Sequence, residues 1–281
     1  MSSEIIQSVS VTPISSSYQK ELGKNAYIDN IGMQRLEWVV CARSSSGAEG
    51  ISIANRLMRE GTVENMLAHI KGALLGREVD QLLEISEGVV IGAGPDMDRW
   101  YRRNGWMTIL AFDLVGKVQG VSAIDLLGGR KHDSVLAYDT TLYFQDFLNP
   151  AKGAQQVADE ASQAVTDGWR AVKLKVGRGG RWMLPKAGMQ RDIDVVLGVR
   201  EAVGSDVKIY VDANFGYDNN LDLLDQFIKE VTPADIFWFE EMITHGVDGY
   251  KQMREILSKY GSKALLTCGE VDRDPISETF Q

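Results

Sequence analysis

The part of the sequence that decides the fold begins with AVKLKVG at residues 171–177. Four similar short apolar runs surround it, at 134–144, 207–213, 236–240 and 264–268. Apolar residues recur at helical spacing between these runs, near 151–166, 187–203, 221–230 and 248–260. Short apolar strands that alternate with amphipathic helices predict βα units and a parallel sheet with both faces covered. A further helix is expected to begin at Pro275.

The first part of the chain has a different organisation, which predicts an α+β domain over residues 1–130 and a second domain over 131–281. Its residue patterns predict strands at 4–14 and 36–43, and helices at 63–75 and 98–119. The polar segment SSSYQKELGKNAY at 15–27 separates the two strands and predicts a mobile loop.

Single carboxylates follow three successive strands of the predicted parallel sheet, in IYVDAN, FWFEE and LLTCGE. Asp212, Glu240 and Glu270 are each separated by about one βα unit. Ligands of parallel α/β proteins bind at the carboxyl ends of the strands, so these side chains are expected to converge. Carboxylates without a His or Cys partner suit a hard cation, with Mg²⁺ first. The alternative is that each acid caps the helix that follows it.

Two lysines, Lys173 and Lys175, are two residues apart on one predicted strand, so both side chains point to the same face. The apolar residues around them favour a central strand over a solvated edge. Burial and like charge both lower the pKa of a lysine, and this predicts that one of the pair is a base near neutral pH.

Three other features are weaker candidates for chemistry. The segment VVIGAGPDMD at 89–98 resembles a dinucleotide-binding turn, but Met97 stands where the third glycine is needed, and an ordinary loop is favoured. Cys268 is interpreted as a buried structural thiol rather than a nucleophile. His245 lies in a loop after the fourth strand and is interpreted as a solvated residue.

The composition limits the classes of partner. The formal net charge of −9 gives no general attraction for phosphate backbones, so a nucleic-acid partner is not expected. The two cysteines cannot form a disulfide framework, which favours a reducing compartment. Neither a signal peptide nor an apolar stretch of about 18 residues is visible. These observations predict a cytoplasmic protein without a membrane partner.

The ordered set of motifs resembles the mandelate racemase and muconate lactonizing enzyme family of the enolase superfamily. The motifs that carry the resemblance span much of the chain: ILAFDLVGK and LLGG within 109–129, KLK at 173–175, VDAN at 211–214, FEE at 239–241 and CGE at 268–270. The resemblance implies a capping domain followed by a (β/α)₇β barrel. It also implies that loops near 15–27 and 44–55 close over the active site and select the substrate.

The resemblance further implies a role for each motif residue. Asp212, Glu240 and Glu270 would bind Mg²⁺, and Lys175 would remove the proton α to a carboxylate, assisted by Lys173. Asn214 would lie near the substrate and Glu241 behind the metal ligands. The expected substrate is a small carboxylate or hydroxy acid, and acid-sugar dehydration is favoured over racemisation, epimerisation or cycloisomerisation. Members of this family are often homo-oligomers.

The sequence departs from the family in three places. Met242 replaces the proline that usually follows the paired glutamates. An insert at 178–189 contains Arg178, Arg181 and Trp182, which are candidates for binding an anionic substrate. A whole barrel takes about 250 residues, so about five of its eight strands are expected here. The chain is interpreted as a fragment of a longer product, with a chain completed by a partner or a non-catalytic binding remnant as alternatives.

Overall fold

The computed structural model describes residues 4–54, 63–244 and 246–270. The chain divides into two compact units. The first comprises Met1–Ser17 and Gln34–Ser134, and the second comprises Tyr18–Met33 and Val135–Gln281. His245 and the helix expected at Pro275 lie outside the described residues. No helix among the described residues is long and apolar enough to cross a membrane.

A three-stranded sheet begins the chain, in the order β1 (Ile6–Leu22), β2 (Gly32–Ser44) and β3 (Glu49–Ile53). Strands β2 and β3 are antiparallel, with Val39 opposite Ile53. The prediction of a mobile loop at 15–27 is wrong for residues 15–22, which continue β1. Most of these polar residues are exposed, and Ser17 accepts a hydrogen bond from the side chain of Gln34 in β2. Pairing with β2 therefore outweighs the polar composition of this segment.

The helices of the first unit are α1 (Val63–Leu74), α2 (Asp98–Arg103), α3 (Trp106–Gln119) and α4 (Ala123–Leu126). The prediction of a single helix over 98–119 is wrong, because the helix is interrupted at Asn104, whose backbone is not helical. Helix α3 packs against β3 so closely that a Cβ on Gly50 would lie 2.5 Å from the Cβ of Leu114. The buried core of this unit includes Val40, Ile70, Leu82, Leu110 and Leu114.

A small hairpin of β4 (Leu83–Ser86) and β5 (Val89–Ala93) contains the first five residues of the glycine-rich segment at 89–98. The prediction of an ordinary loop is therefore wrong for residues 89–93, which form a strand. A Cβ on Gly94 would lie 1.9 Å from the carbonyl oxygen of Gln81. This glycine is accordingly explained by the close approach of two backbone segments.

The second unit contains the predicted βα units. Its strands are β6 (Asp139–Leu142), β7 (Ala171–Lys175), β8 (Lys208–Asp212), β9 (Trp238–Glu240) and β10 (Leu265–Thr267). They form one parallel sheet in sequential order. The helices between them are α5 (Ala154–Thr166), α6 (Pro185–Val203), α7 (Leu221–Val231) and α8 (Val247–Lys259). Among the described residues, a strand or helix thus lies at each predicted position, and the largest difference is at β6, which begins at Asp139 rather than at residue 134.

The core of the second unit lies between this sheet and its helices, around Val172, Val196, Val211 and Phe227. All five residues of β7 are buried, as expected for a central strand of a parallel sheet. The register places Lys175 beside Asp212 and Asp212 beside Glu240. Because the strands are parallel, their carboxyl ends bring the motif side chains to one edge of the sheet.

Candidate active site

Three carboxylates converge at this edge of the second unit. Asp212 is the last residue of β8, Glu240 is the last residue of β9, and Glu270 follows β10. One oxygen from each carboxylate lies within 4.8 Å of the others. Asp212 is fully buried and Glu240 is nearly so, whereas Glu270 is exposed. The predicted convergence of these three residues is therefore present.

The two lysines of β7 lie among these carboxylates. The ammonium nitrogen of Lys173 is 3.1 Å from Asp212 Oδ2 and 3.2 Å from both carboxylate oxygens of Glu240. Lys175 Nζ donates to Asp212 Oδ2 at 2.5 Å and to Asn214 Oδ1 at 3.0 Å. Both lysines are buried. The cluster thus pairs two positive charges with buried negative charges.

The electrostatic environment affects the pKa of one of the lysines. Burial acts to lower the pKa of Lys173, but the charges of Asp212 and Glu240 outweigh it, and the pKa is raised. Lys173 is therefore not the lysine of the pair that fits the predicted lowered pKa, because the neighbouring carboxylates stabilise its ammonium form. Burial and the charge of Asp212 raise the pKa of Glu240, with Lys173 opposing them.

The donor set of this site fits a hard divalent cation. It consists of carboxylate oxygens only, which are the ligands that Mg²⁺ prefers. Opposite ligands around Mg²⁺ lie about 4.2 Å apart, since each is about 2.1 Å from the ion. The observed separation of up to 4.8 Å is close to that value. Asp212, Glu240 and Glu270 would hold such an ion after small side-chain movements.

The backbone is strained at two residues, Asn214 and Glu241, that lie close in sequence to the metal-ligand candidates Asp212 and Glu240. Asn214 and Glu241 have φ angles of 42° and 45°, in the left-handed region that residues other than glycine rarely adopt. The Asn214 amide donates to Glu241 Oε2 at 3.3 Å, and Glu241 is buried. Such strain is common at functional sites, where the surrounding structure enforces it.

Tyrosines that the sequence did not single out surround the lysines. The ring of Tyr143 lies 5.5 Å from Lys175 Nζ, and the ring of Tyr138 lies 5.7 Å from Lys173 Nζ. Burial raises the pKa of Tyr143 to about 12. Tyr138 also packs edge-on against Tyr210 and Trp238, which stack on each other. No sequence signal distinguishes these aromatic residues from core residues.

The insert after β7 does not have the role predicted for Arg178. Its guanidinium is fully buried and paired with Asp146 and Asp192, so it is not available to a substrate. Arg181 Nη1 instead donates to the carbonyl of Tyr27, and Trp182 Nε1 donates to the carbonyl of Asn25, each at 2.7 Å. The insert therefore holds residues 25–27 of the same unit.

The remaining sequence candidates do not gain support. Cys268 and Cys41 are free thiols of intermediate exposure. Cys268 is predicted to be buried, but it is only partly buried. Desolvation, followed by the charge of Glu49, raises the pKa of Cys41.

Comparisons with known proteins match one family model and several enzymes. Residues 156–267 match the family model described as enolase C-terminal domain-like. A D-galactarolactone cycloisomerase from Agrobacterium fabrum is 32% identical over 185 residues, which cover 58% of this chain and 43% of that protein. An arabinonate dehydratase from Saccharolobus solfataricus is 33% identical over 132 residues, covering 47% and 31%.

Solved structures give a wider match. A galacturonate dehydratase from Geobacillus sp., complexed with D-galacturonate and 5-keto-4-deoxy-D-galacturonate, superposes with a TM-score of 0.76 and 26% identity over 98% of this chain and 68% of that chain. A mandelate racemase/muconate lactonizing protein from Geobacillus sp. Y412MC10, complexed with magnesium and tartrate, gives a TM-score of 0.78 and 25% identity over 98% and 67%.

The fold and these matches make the chain similar to proteins of the enolase superfamily. Within that superfamily, it resembles the mandelate racemase and muconate lactonizing enzyme family, most clearly over residues 156–267. Relatives in this family include dehydratases, cycloisomerases and racemases. The chain spans less than half the length of the curated relatives described above.

Proposed function

We propose that this chain carries the site of an enzyme that removes the proton α to a carboxylate, and that Asp212, Glu240 and Glu270 bind its Mg²⁺. The observation that supports the proposal most is the contact of the lysine pair with the carboxylate cluster. An exposed third carboxylate, Glu270, leaves one side of the cluster accessible.

The proposed chemistry follows from the charges. Removal of a proton α to a carboxylate produces an enediolate with two negative charges. Mg²⁺, when bound, would stabilise that charge as a Lewis acid. Lys175 in its neutral form takes the proton. Lys173 remains protonated and places a second positive charge beside the developing anion. Asn214 orients Lys175 through the hydrogen bond to its Nζ.

We further propose that the substrate is a small hydroxy acid and that the reaction is dehydration of an acid sugar. The enediolate expels a β-hydroxyl group, which takes up one proton and leaves as water, so the α-proton and the hydroxyl group are lost together as one water molecule. The match to the galacturonate dehydratase over nearly the whole chain supports this reaction. The match to D-galactarolactone cycloisomerase favours cycloisomerisation as a second candidate. On this proposal, the parallel sheet is part of a (β/α)₇β barrel and residues 1–130 form the capping domain.

The experiment is a measurement of α-proton exchange by NMR in D₂O with Mg²⁺ and a panel of acid sugars. We expect wild-type protein to exchange the α-proton of at least one acid and Lys175→Met to lose that exchange. Lys208→Met is a matched control, because Lys208 is exposed at the opposite end of β8. Loss of water identifies a dehydratase, and an isomer of unchanged mass identifies a cycloisomerase or racemase. Equal exchange by Lys175→Met and wild type would refute the assignment of the base.

A further inference from the structure

A buried charged cluster lies behind the lysine and carboxylate side chains of the second unit. Arg178 is fully buried, and its guanidinium donates to Asp146 at 2.7 Å and to Asp192 at 2.6 Å. Asp192, from α6, is also fully buried and accepts from the Tyr217 hydroxyl at 2.9 Å. Arg191 donates to Asp146 at 3.1 Å, so the cluster has two positive and two negative charges.

The cluster holds the backbone that immediately follows the proposed base. Arg178 Nη1 donates to the carbonyl oxygen of Lys175 at 3.3 Å. Asp192 Oδ2 accepts from the backbone N–H of Gly177 at 2.8 Å and from that of Arg178 at 3.2 Å. Three polar backbone groups between residues 175 and 178 are therefore fixed by two side chains of the cluster.

The same cluster reaches the loop that carries Asn214. Tyr217 is on this loop, and its backbone N–H donates to the carbonyl of Met242 at 3.2 Å, beyond β9. The loops after β7 and β8 also touch directly, since a Cβ on Gly216 would lie 2.5 Å from the Cα of Gly177. Asp192 thus contacts the loop after β7 through two backbone N–H groups and the loop after β8 through the Tyr217 hydroxyl.

The loop after β8 needs such support because it is strained. Asn214 and Phe215 have φ angles of 42° and 62°. Strained residues keep their conformation only where surrounding contacts enforce it. The backbone N–H of Phe215 donates to the carbonyl of Glu241 at 2.6 Å, which provides one such contact. The hydrogen bond from the Tyr217 hydroxyl to Asp192 provides a further contact for this loop.

We propose that Arg178, Asp146, Asp192 and Tyr217 form a positioning cluster, which sets the directions of the Lys175 and Asn214 side chains. This inference rests on the proposed role of Lys175 as the base. Buried ion pairs generally contribute little net stability compared with apolar residues of the same volume. Fixed orientation of a reacting group, in contrast, has large effects on rate. None of the four is a metal-ligand candidate or the proposed base. They act through the backbone next to Lys175 and Asn214, and are therefore positioning residues.

The test compares Tyr217→Phe, which removes only the hydroxyl group that donates to Asp192, with Ile228→Val. Ile228 is a fully buried residue of α7 in the same unit, and its substitution removes a buried methyl group without removing any hydrogen bond of the cluster. We expect Tyr217→Phe to lower kcat for α-proton exchange by about tenfold, with KM within about twofold of wild type. Ile228→Val should leave kcat unchanged, although its melting temperature should be similar to that of Tyr217→Phe. Asp192→Asn should show a larger loss of kcat in the same sense.

Hydrogen–deuterium exchange of the backbone provides a measurement that does not depend on activity. Tyr217→Phe should accelerate exchange in peptides that cover residues 171–180 and 208–217 more than Ile228→Val does. Equal acceleration by both variants, or an unchanged kcat in an active protein, would overturn the positioning role. If wild-type protein exchanges no α-proton, the proposed function fails, and the peptide comparison alone decides whether the cluster fixes these loops.

Discussion

Lys175 provides the sharpest test of the electrostatics of the site, through the substitution Lys175→Met. Its ammonium nitrogen lies 2.5 Å from Asp212 Oδ2. A Mg²⁺ ion bound to Asp212 would lie about 2.1 Å from a carboxylate oxygen. The ammonium and the ion would then be about 5 Å apart. Removal of the ammonium charge should therefore make Mg²⁺ bind more tightly, while it abolishes α-proton exchange.

The magnitude follows from Coulomb's law. A single and a double positive charge about 5 Å apart repel by about 1.7 kcal/mol in bulk water, and by about four times as much at an effective dielectric constant of 20. Since about 1.4 kcal/mol is a tenfold change in affinity, the lower figure corresponds to about 15-fold tighter binding. Loss of the ion pair between Lys175 and Asp212 in the metal-free protein changes the affinity in the same direction.

The assay is isothermal titration calorimetry with MgCl₂ at fixed ionic strength. Lys208→Met is the control, because it makes the same change of charge at the other end of the strand that carries Asp212. Four residues of strand separate the two positions by about 13 Å, which exceeds the Debye length of about 10 Å at 0.1 M salt. The control should bind Mg²⁺ as wild type does. Unchanged or weaker binding by Lys175→Met would refute the reasoning that the lysine and the ion compete for the same carboxylates.

Three further substitutions, one of them with a matched control, test the site and its support. Glu240→Gln should weaken Mg²⁺ binding at least tenfold in the same titration, because one of three anionic ligands becomes neutral; unchanged affinity would exclude Glu240 as a ligand. Gly216→Ala should lower the free energy of unfolding by about 1–3 kcal/mol in urea, since its Cβ would lie 2.5 Å from the Cα of Gly177. Gly198→Ala, in the interior of α6 with only an ordinary contact at 3.9 Å, should instead raise it by about 1 kcal/mol; equal effects of the two alanines would contradict the close approach. Arg178→Met should lower the free energy of unfolding by about 3–5 kcal/mol, because it leaves two buried carboxylates without their partner, and a loss below about 1 kcal/mol would show that those carboxylates are protonated or hydrated.

The strand ends were predictable because two local signals agree there. Apolar runs of β7, β8 and β9 define buried parallel strands, and a polar residue at the end of such a strand is confined to one edge of the sheet. The positions of Asp212 and Glu240 follow from that rule alone. The register of the strands pairs Lys175 with Asp212 and Asp212 with Glu240, and this pairing brings the three side chains together.

The support of the site was not predictable from local pattern. Arg178 follows the lysine strand in a polar insert, and its sequence context favours an exposed side chain that binds anions. Its burial depends on two carboxylates from distant elements, Asp146 and Asp192, and neither position has a local signal. The strand residues 15–22 show the same limit, since their polar composition predicts a loop and only pairing with β2 makes them a strand.

The two lysines and three carboxylates also explain why metal and base should be coupled in the proposed enzyme. In the structure described, Asp212 and Glu240 hold the Lys173 ammonium and raise its pKa. A base has to be neutral before it accepts a proton, so carboxylates that stabilise ammonium groups oppose the chemistry. A divalent cation among the same carboxylates would neutralise them and repel the neighbouring ammonium charge, which favours release of a proton from a lysine. Competition between lysine and cation for Asp212 and Glu240 would therefore link occupation of the metal site to the fraction of the base that is neutral.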